Sequence, residues 1–184
     1  NKMIGLFLGS TDFPKKILKK IKNNKKKYFI IDLTKNNYFK NDKNSYFINI
    51  GKFGKIITLI KEKKCKKVLF AGKIDKPKIT NLKFDIKGIY YLPRIVKSSK
   101  LGDAAILNEL IKILDENQIK VIKSNIFNPE LTLKKGIFSK TKPNKSDAIS
   151  IKKGIKYLND LNAHDHVQGL IIRNNNVIIK ETSK

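Results

Sequence analysis

The sequence predicts an α/β fold with a mostly parallel sheet, followed by the opening of a second α/β unit. Three observations carry this. Short apolar blocks (MIGLFLG, KYFIIDL, KKVLFAG) alternate with segments of helical period. The blocks lack the polar alternation of a half-exposed strand, so they read as buried on both faces. Their order, strand–helix–strand–strand–helix–strand, supplies the crossovers that parallel pairing needs.

Residues 2–8 (KMIGLFL) are the first strand, ending at Gly9-Ser10-Thr11. Pro14 opens a helix whose Ile17, Leu18 and Ile21 fall on one face. Residues 28–33 form the second strand, and an Asn/Lys-rich loop leads to a third apolar run at 45–50. Gly51 and Gly54 bracket the start of a helix with Ile56, Ile57, Leu59 and Ile60 on its buried side, and residues 67–71 make a strand that stops at Gly72. A helix is expected around 86–97, where Pro93 should end or kink it. A second helix runs from Gly102 to about Asn117, with Asp103 in its first turn, where a carboxylate favours the dipole. Residues 119–123 give the last strand of a Rossmann-like domain placed at 1–125.

Between 126 and 145 the period is lost and Pro129, Gly136 and Pro143 appear, which reads as a linker. Ser146 or Asp147 is expected to cap a helix to about Leu161. Residues 168–173 and 177–181, joined at Asn174-Asn175-Asn176, read as a hairpin. The unit 146–184 is too small to bury much surface, and we read it as an incomplete second domain.

The formal charge of +26 is almost all lysine: Arg94 and Arg173 are the only arginines. Lysine, isoleucine and asparagine supply 87 of the 184 residues. The lysines spread over nearly every helix, so most of the charge reads as compositional drift on solvated faces. It would still draw the chain to phosphates and acidic leaflets. A basic α/β nucleic-acid-binding domain is the alternative, resting on the charge and on Tyr28, Phe29, Tyr38, Phe39, Tyr46 and Phe47 among lysines. Cys65, the only cysteine, excludes an internal disulfide and a Cys-rich zinc site. No apolar run approaches a membrane span.

Several segments carry candidate chemistry. Gly9-Ser10-Thr11 sits between a strand and a helix, where backbone N–H groups favour an anion, although a complete G-x-G-x-x-G is missing. A plain βα turn explains it about as well. Asp12 reads as a helix-start carboxylate before it reads as a metal contact. Gly72-Lys73, in a loop running to Pro77, suits a phosphate or a solvated turn equally. Capping accounts for Asp103. His164-Asp165-His166 holds both histidines, and a surface turn is favoured over a metal site.

Taken in order, these segments resemble the LpxI-type UDP-2,3-diacylglucosamine pyrophosphatase family of lipid A biosynthesis. The run Lys67-Val68-Leu69-Phe70-Ala71-Gly72-Lys73-Ile74-Asp75-Lys76-Pro77 is similar to the family's VVMAGRVxRP, and Gly102-Asp103-Ala104-Ala105-Ile106-Leu107 to its GDDALL. Leu8–Pro14, Ile50–Gly54, Pro129–Leu131 with Gly136–Ser139, and Asp165–Gln168 with the hairpin fall in family order. Departures are Ser10 and Thr11 for two of three glycines, Lys73 for arginine and Val167 for glycine.

The resemblance implies Mg²⁺-assisted hydrolysis of the pyrophosphate of UDP-2,3-diacylglucosamine, with water directed at the sugar-side phosphorus. The products would be UMP and 2,3-diacylglucosamine 1-phosphate (lipid X). It implies substrate contacts at Gly9, Ser10, Thr11, Gly72, Lys73, Asp103 and Gln168, with the metal ligands left open. The family's catalytic aspartate belongs to a Gly-Thr-Asp segment expected just after Lys184, so no catalytic residue is placed within the chain. We therefore expect a fragment that is inactive or nearly so alone. The parent enzyme is expected to be cytoplasmic, peripheral on the inner leaflet, possibly a homodimer, and without a nucleic-acid partner.

Overall fold

A computed structural model describes residues 2–74, 81–134, 136–161, 167 and 169–181. Its N-terminal part is a five-stranded parallel sheet in the order β3-β2-β1-β4-β5. The strands are β1 (Ile4–Leu8), β2 (Tyr28–Asp32), β3 (Ser45–Phe47), β4 (Lys67–Ala71) and β5 (Lys120–Val121). The chain builds outward from β1 through α1 (Asp12–Asn23) to β2 and then β3. It returns through α2 (Phe53–Glu62) to place β4 on the other side of β1. This is the expected Rossmann-like α/β domain. Ligand crevices in such sheets lie where the winding reverses, here between the carboxyl ends of β1 and β4.

Successive side chains of a strand point to opposite faces, so β1 feeds two cores. Ile4, Leu6 and Leu8 pack with Ile17, Leu18 and Ile21 of α1. Phe7 packs on the other face with Ile56, Ile57 and Ile60 of α2 and with Ile113 and Leu114. Every residue of β1 is buried, which is why its sequence shows no alternation.

Helices α3 (Ile86–Ser99) and α4 (Asp103–Glu116) pack on each other. Arg94 clasps the pair: its Nε donates to Glu109 at 2.6 Å, and its Nη atoms donate to both oxygens of Glu116 at 2.9 and 2.7 Å. Helix α3 covers the stretch expected around 86–97 and continues six residues past Pro93, so the proline does not end it. The bond that proline removes would have gone to the carbonyl of the exposed Ile89, while Tyr91, Arg94 and Ile95 hold the helix to its neighbours. Two single-turn 3-10 helices, Ser124–Ile126 and Pro129–Leu131, follow β5. Phe127 packs on the α1-side core, and Glu130 lies 3.8 Å from Lys20.

The remaining elements are α5 (Lys145–Asp160) and an antiparallel hairpin of β6 (Leu170–Arg173) and β7 (Asn176–Lys180). Neither Ser146 nor Asp147 is the cap of α5. Asn144 is, accepting from the Asp147 N–H at 2.9 Å, while the Asp147 carboxylate accepts from the Asn144 N–H at 2.9 Å. Asn174 and Asn175 have φ of 49° and 62°, the paired positive values of a hairpin turn that asparagine tolerates. Gly154 lets α5 approach Ile172 and Leu170.

Candidate active site

Two turns meet at the carboxyl edge of the sheet. After β1 the Gly9 N–H donates to the Ala71 carbonyl at 2.9 Å. Ser10 and Lys73 then form an antiparallel bridge: the Ser10 N–H donates to the Lys73 carbonyl at 2.8 Å, and the Lys73 N–H donates to the Ser10 carbonyl at 2.9 Å. The Ser10 hydroxyl adds a third bond to the Lys73 carbonyl, at 3.0 Å. A side chain at Gly9 would collide with that same carbonyl, and Gly72 takes φ of +86° against the Pro14 ring, so glycine is required at both. The crossing is a backbone weld between β1 and β4.

The weld sets Ser10, Thr11, Gly72 and Lys73, all exposed, beside the start of α1. That helix start carries no side-chain cap. By contrast, α3 is capped by Asp85 and α5 by Asn144. Asp12 in the first turn of α1 is held below the usual carboxylate range by the Lys15 ammonium, which donates to it at 2.9 Å. The edge thus offers unclaimed helix-start N–H groups next to one lysine, the elements of an anion site.

Of the residues named from the sequence, Gly9, Ser10, Thr11, Gly72 and Lys73 come together. Asp103 opens α4, which packs on α3 and β5. Gln168, the His164–His166 segment and Asp75–Pro77 lie outside the described residues. Two clefts are described, and neither is lined by Gly9, Lys73 or Asp103. One, of about 290 Å³, lies between Lys16, Lys19 and Lys20 of α1 and Asn128. The other, about 840 Å³, is a trough between α5 and the hairpin, lined by isoleucines and leucines together with Asp147, Ser150 and Arg173.

Two acids that sequence reasoning does not single out shape this edge. Asp32, fully buried at the end of β2, accepts from the Thr34 N–H at 2.9 Å, the Thr34 hydroxyl at 2.7 Å and the Phe39 N–H at 2.8 Å. Dinucleotide-binding sheets use an acid at this strand end for a ribose hydroxyl. Here the side chain is buried and accepts three bonds from the following loop, so it is not presented to a ribose. Asp85 accepts from the Gly54, Lys55 and Gly88 N–H groups at 3.1, 2.9 and 2.8 Å, so one carboxylate serves the starts of α2 and α3. Burial raises its pKa, but those three donors outweigh it and hold it below the ordinary carboxylate value.

The aromatic residues behind the nucleic-acid alternative mostly serve the fold. Phe29 and Phe39 are core, Tyr46 meets Phe29 edge-on, and the Tyr28 hydroxyl donates to Asp42 at 2.8 Å. Tyr38 and Phe47 remain exposed, with the Lys15 ammonium 4.9 Å from the Tyr38 ring. That is no continuous stacking platform. Among the described residues no three His, Cys, Asp or Glu gather where a metal ion would sit, and no helix is long and apolar enough to cross a membrane.

Residues 3–131 match the family model of the LpxI N-terminal domain. The chain is also similar to a UDP-2,3-diacylglucosamine pyrophosphatase LpxI of Caulobacter vibrioides, 26% identical over 125 residues. That match covers 68% of this chain and 45% of the relative, so the chain spans about half the length of the curated protein it matches.

Proposed function

The chain belongs to the LpxI family, and from that premise we propose that the protein carrying it hydrolyses the pyrophosphate bond of UDP-2,3-diacylglucosamine, giving UMP and lipid X. One observation carries the reading: the Ser10–Lys73 weld holds an uncapped helix start and a lysine side by side at the winding reversal.

A diphosphate laid on this edge would meet the N–H groups at the start of α1 and the Lys73 ammonium. Both would stabilise the charge that grows on the departing phosphate, and a fixed backbone supplies that stabilisation without reorganising during the reaction. Lysine replaces a fork-shaped guanidinium with a point charge, so it would neutralise the phosphate without fixing its orientation. The weld does the orienting. The edge is open in the chain described, and a facing domain that closes it over the acyl chains belongs to the proposal.

Magnesium dependence belongs to it as well. The described residues do not assemble a ligand set for the ion. The catalytic acid is proposed to come from outside this chain.

The test is release of UMP and lipid X from UDP-2,3-diacylglucosamine by the full-length protein, followed with Lys73→Ala and Lys73→Arg. Removing the ammonium should lower kcat/KM by about 10- to 100-fold, and arginine should restore most of it. Absence of hydrolysis by the full-length protein, or an unimpaired Lys73→Ala, overturns the reading. The 184-residue chain alone should be nearly inactive; a rate matching that of the full-length protein would misplace the catalytic acid.

A further inference from the structure

Helix α3 is apolar on two sides. Its inner side, Tyr91 and Ile95, packs on the core beneath. Its outer side presents Ile86, Ile89 and Tyr90 at 87%, 61% and 71% exposure, with exposed Pro93 continuing the stripe at i, i+3, i+4 and i+7. In a chain with 41 Lys and Arg residues, the outward stripe of a helix is the place where lysine is expected. The lysines instead frame the stripe: Lys83, Lys87, Lys97 and Lys100 are all exposed, without an ion pair among the described residues. Residues 86–102 contain no acid. Of the carboxylates around it, Asp85 is turned to backbone N–H groups and Glu109 and Glu116 pair with Arg94, while Asp103 stands exposed just beyond Gly102.

We propose that this outer face of α3 docks on an anionic bilayer surface. Ile86, Ile89 and Tyr90 enter the headgroup layer, and the four lysines rest on lipid phosphates. Aliphatic side chains gain from an acyl boundary and the ammonium groups from an anionic surface, and a membrane offers both within a few ångströms. A nucleic acid would satisfy the lysines and leave the isoleucines in water. A second copy paired through the same face would press two sets of four lysines together. Asp85 ties the start of α3 to that of α2, which sets this start at the carboxyl end of the sheet, the end where Gly9 and Lys73 also lie. The usefulness of that placement rests on the glycolipid reading above; the docking itself does not.

The test uses the 184-residue chain, which has no tryptophan, so Tyr90→Trp introduces a single indole on the stripe. With vesicles of phosphatidylcholine and phosphatidylglycerol, its emission should shift to the blue and be quenched by brominated acyl chains. Pure phosphatidylcholine should produce neither effect. Ile86→Ser with Ile89→Ser should weaken vesicle partitioning about 10- to 100-fold without changing thermal unfolding, since both side chains are exposed. Lys83→Gln with Lys87→Gln should weaken it mainly at low salt.

An indole that stays in water while the chain co-sediments with anionic vesicles would place the contact elsewhere and overturn the proposal. So would a blue shift without lipid that grows with protein concentration, which marks a second copy, or a shift induced by single-stranded RNA but not by vesicles. No UDP-glycolipid is present, so these outcomes are independent of whether the hydrolysis proposal stands.

Discussion

Thr11 and Gly102 adopt the same backbone conformation, φ 109° and ψ 170° in one, φ 99° and ψ 179° in the other, each just before a helix whose first residue is aspartate. The region is nearly exclusive to glycine, and a β-branched residue there is strained by about 1–3 kcal/mol. Thr11 occupies a place where the resembled family carries glycine.

Thr11→Gly should therefore stabilise the chain. Strain relief exceeds the roughly 0.5–1 kcal/mol that glycine's extra freedom in the unfolded state costs, leaving a net gain of about 1 kcal/mol. Denaturant unfolding measures it. A loss of stability would mean that Thr11 makes a compensating contact.

Gly9→Ala should act in the opposite sense. The new methyl would meet the Lys73 carbonyl, a backbone atom held in place by two hydrogen bonds from Ser10. A loss of about 3 kcal/mol is expected from forcing the weld apart. Near-neutral stability would show that the two turns can separate.

Asp85 gives a pH signature. Its folded pKa lies below the ordinary 3.8, so its contribution is fully present above that value and fades as pH falls through the folded value. Asp85→Asn should lower stability by about 1–3 kcal/mol at neutral pH, and the gap to the parent should narrow on acidification below 3.8. A gap that stays constant down to acid unfolding would contradict the double cap.

Asp32 should matter for structure and not for ligand. Asp32→Ala leaves the Thr34 and Phe39 N–H groups unmatched, at a cost of about 2–4 kcal/mol seen in thermal or denaturant unfolding. Asp32→Asn should cost less, keeping one acceptor. A stable Asp32→Ala would free this acid for a ligand role.

The sheet was legible because its strands are buried on both faces. Runs such as Ile4–Leu8 and Tyr28–Asp32 need no alternation to be recognised, and the helices between them keep a clear period. Edges were harder. Ser45–Phe47 and Lys120–Val121 pair along one side only, so the ladder ends before the apolar runs do. Pro93 does not end its helix because its cost falls on a solvent-facing turn that tertiary contacts outweigh. Asn144 was hidden by two better-looking caps just after it. In the candidate site, Gly9 and Gly72 could be named from the sequence, but their welding through Ser10 and Lys73 could not, because backbone bonds leave no residue signature. Asp85 reaches across 30 positions to Lys55, a distance no local pattern encodes.

The brevity of the outermost strands of the five-stranded sheet bears on how that sheet meets other chains. An exposed strand recruits foreign chains in proportion to the length of unpaired backbone it shows, and the rims of the five-stranded sheet are three and two residues long. Lys120, exposed on the shorter rim, would set ammonium against ammonium if two sheets met side by side. The long buried strands, those most prone to amyloid-like stacking if laid bare, are therefore shielded by rims too short to template growth.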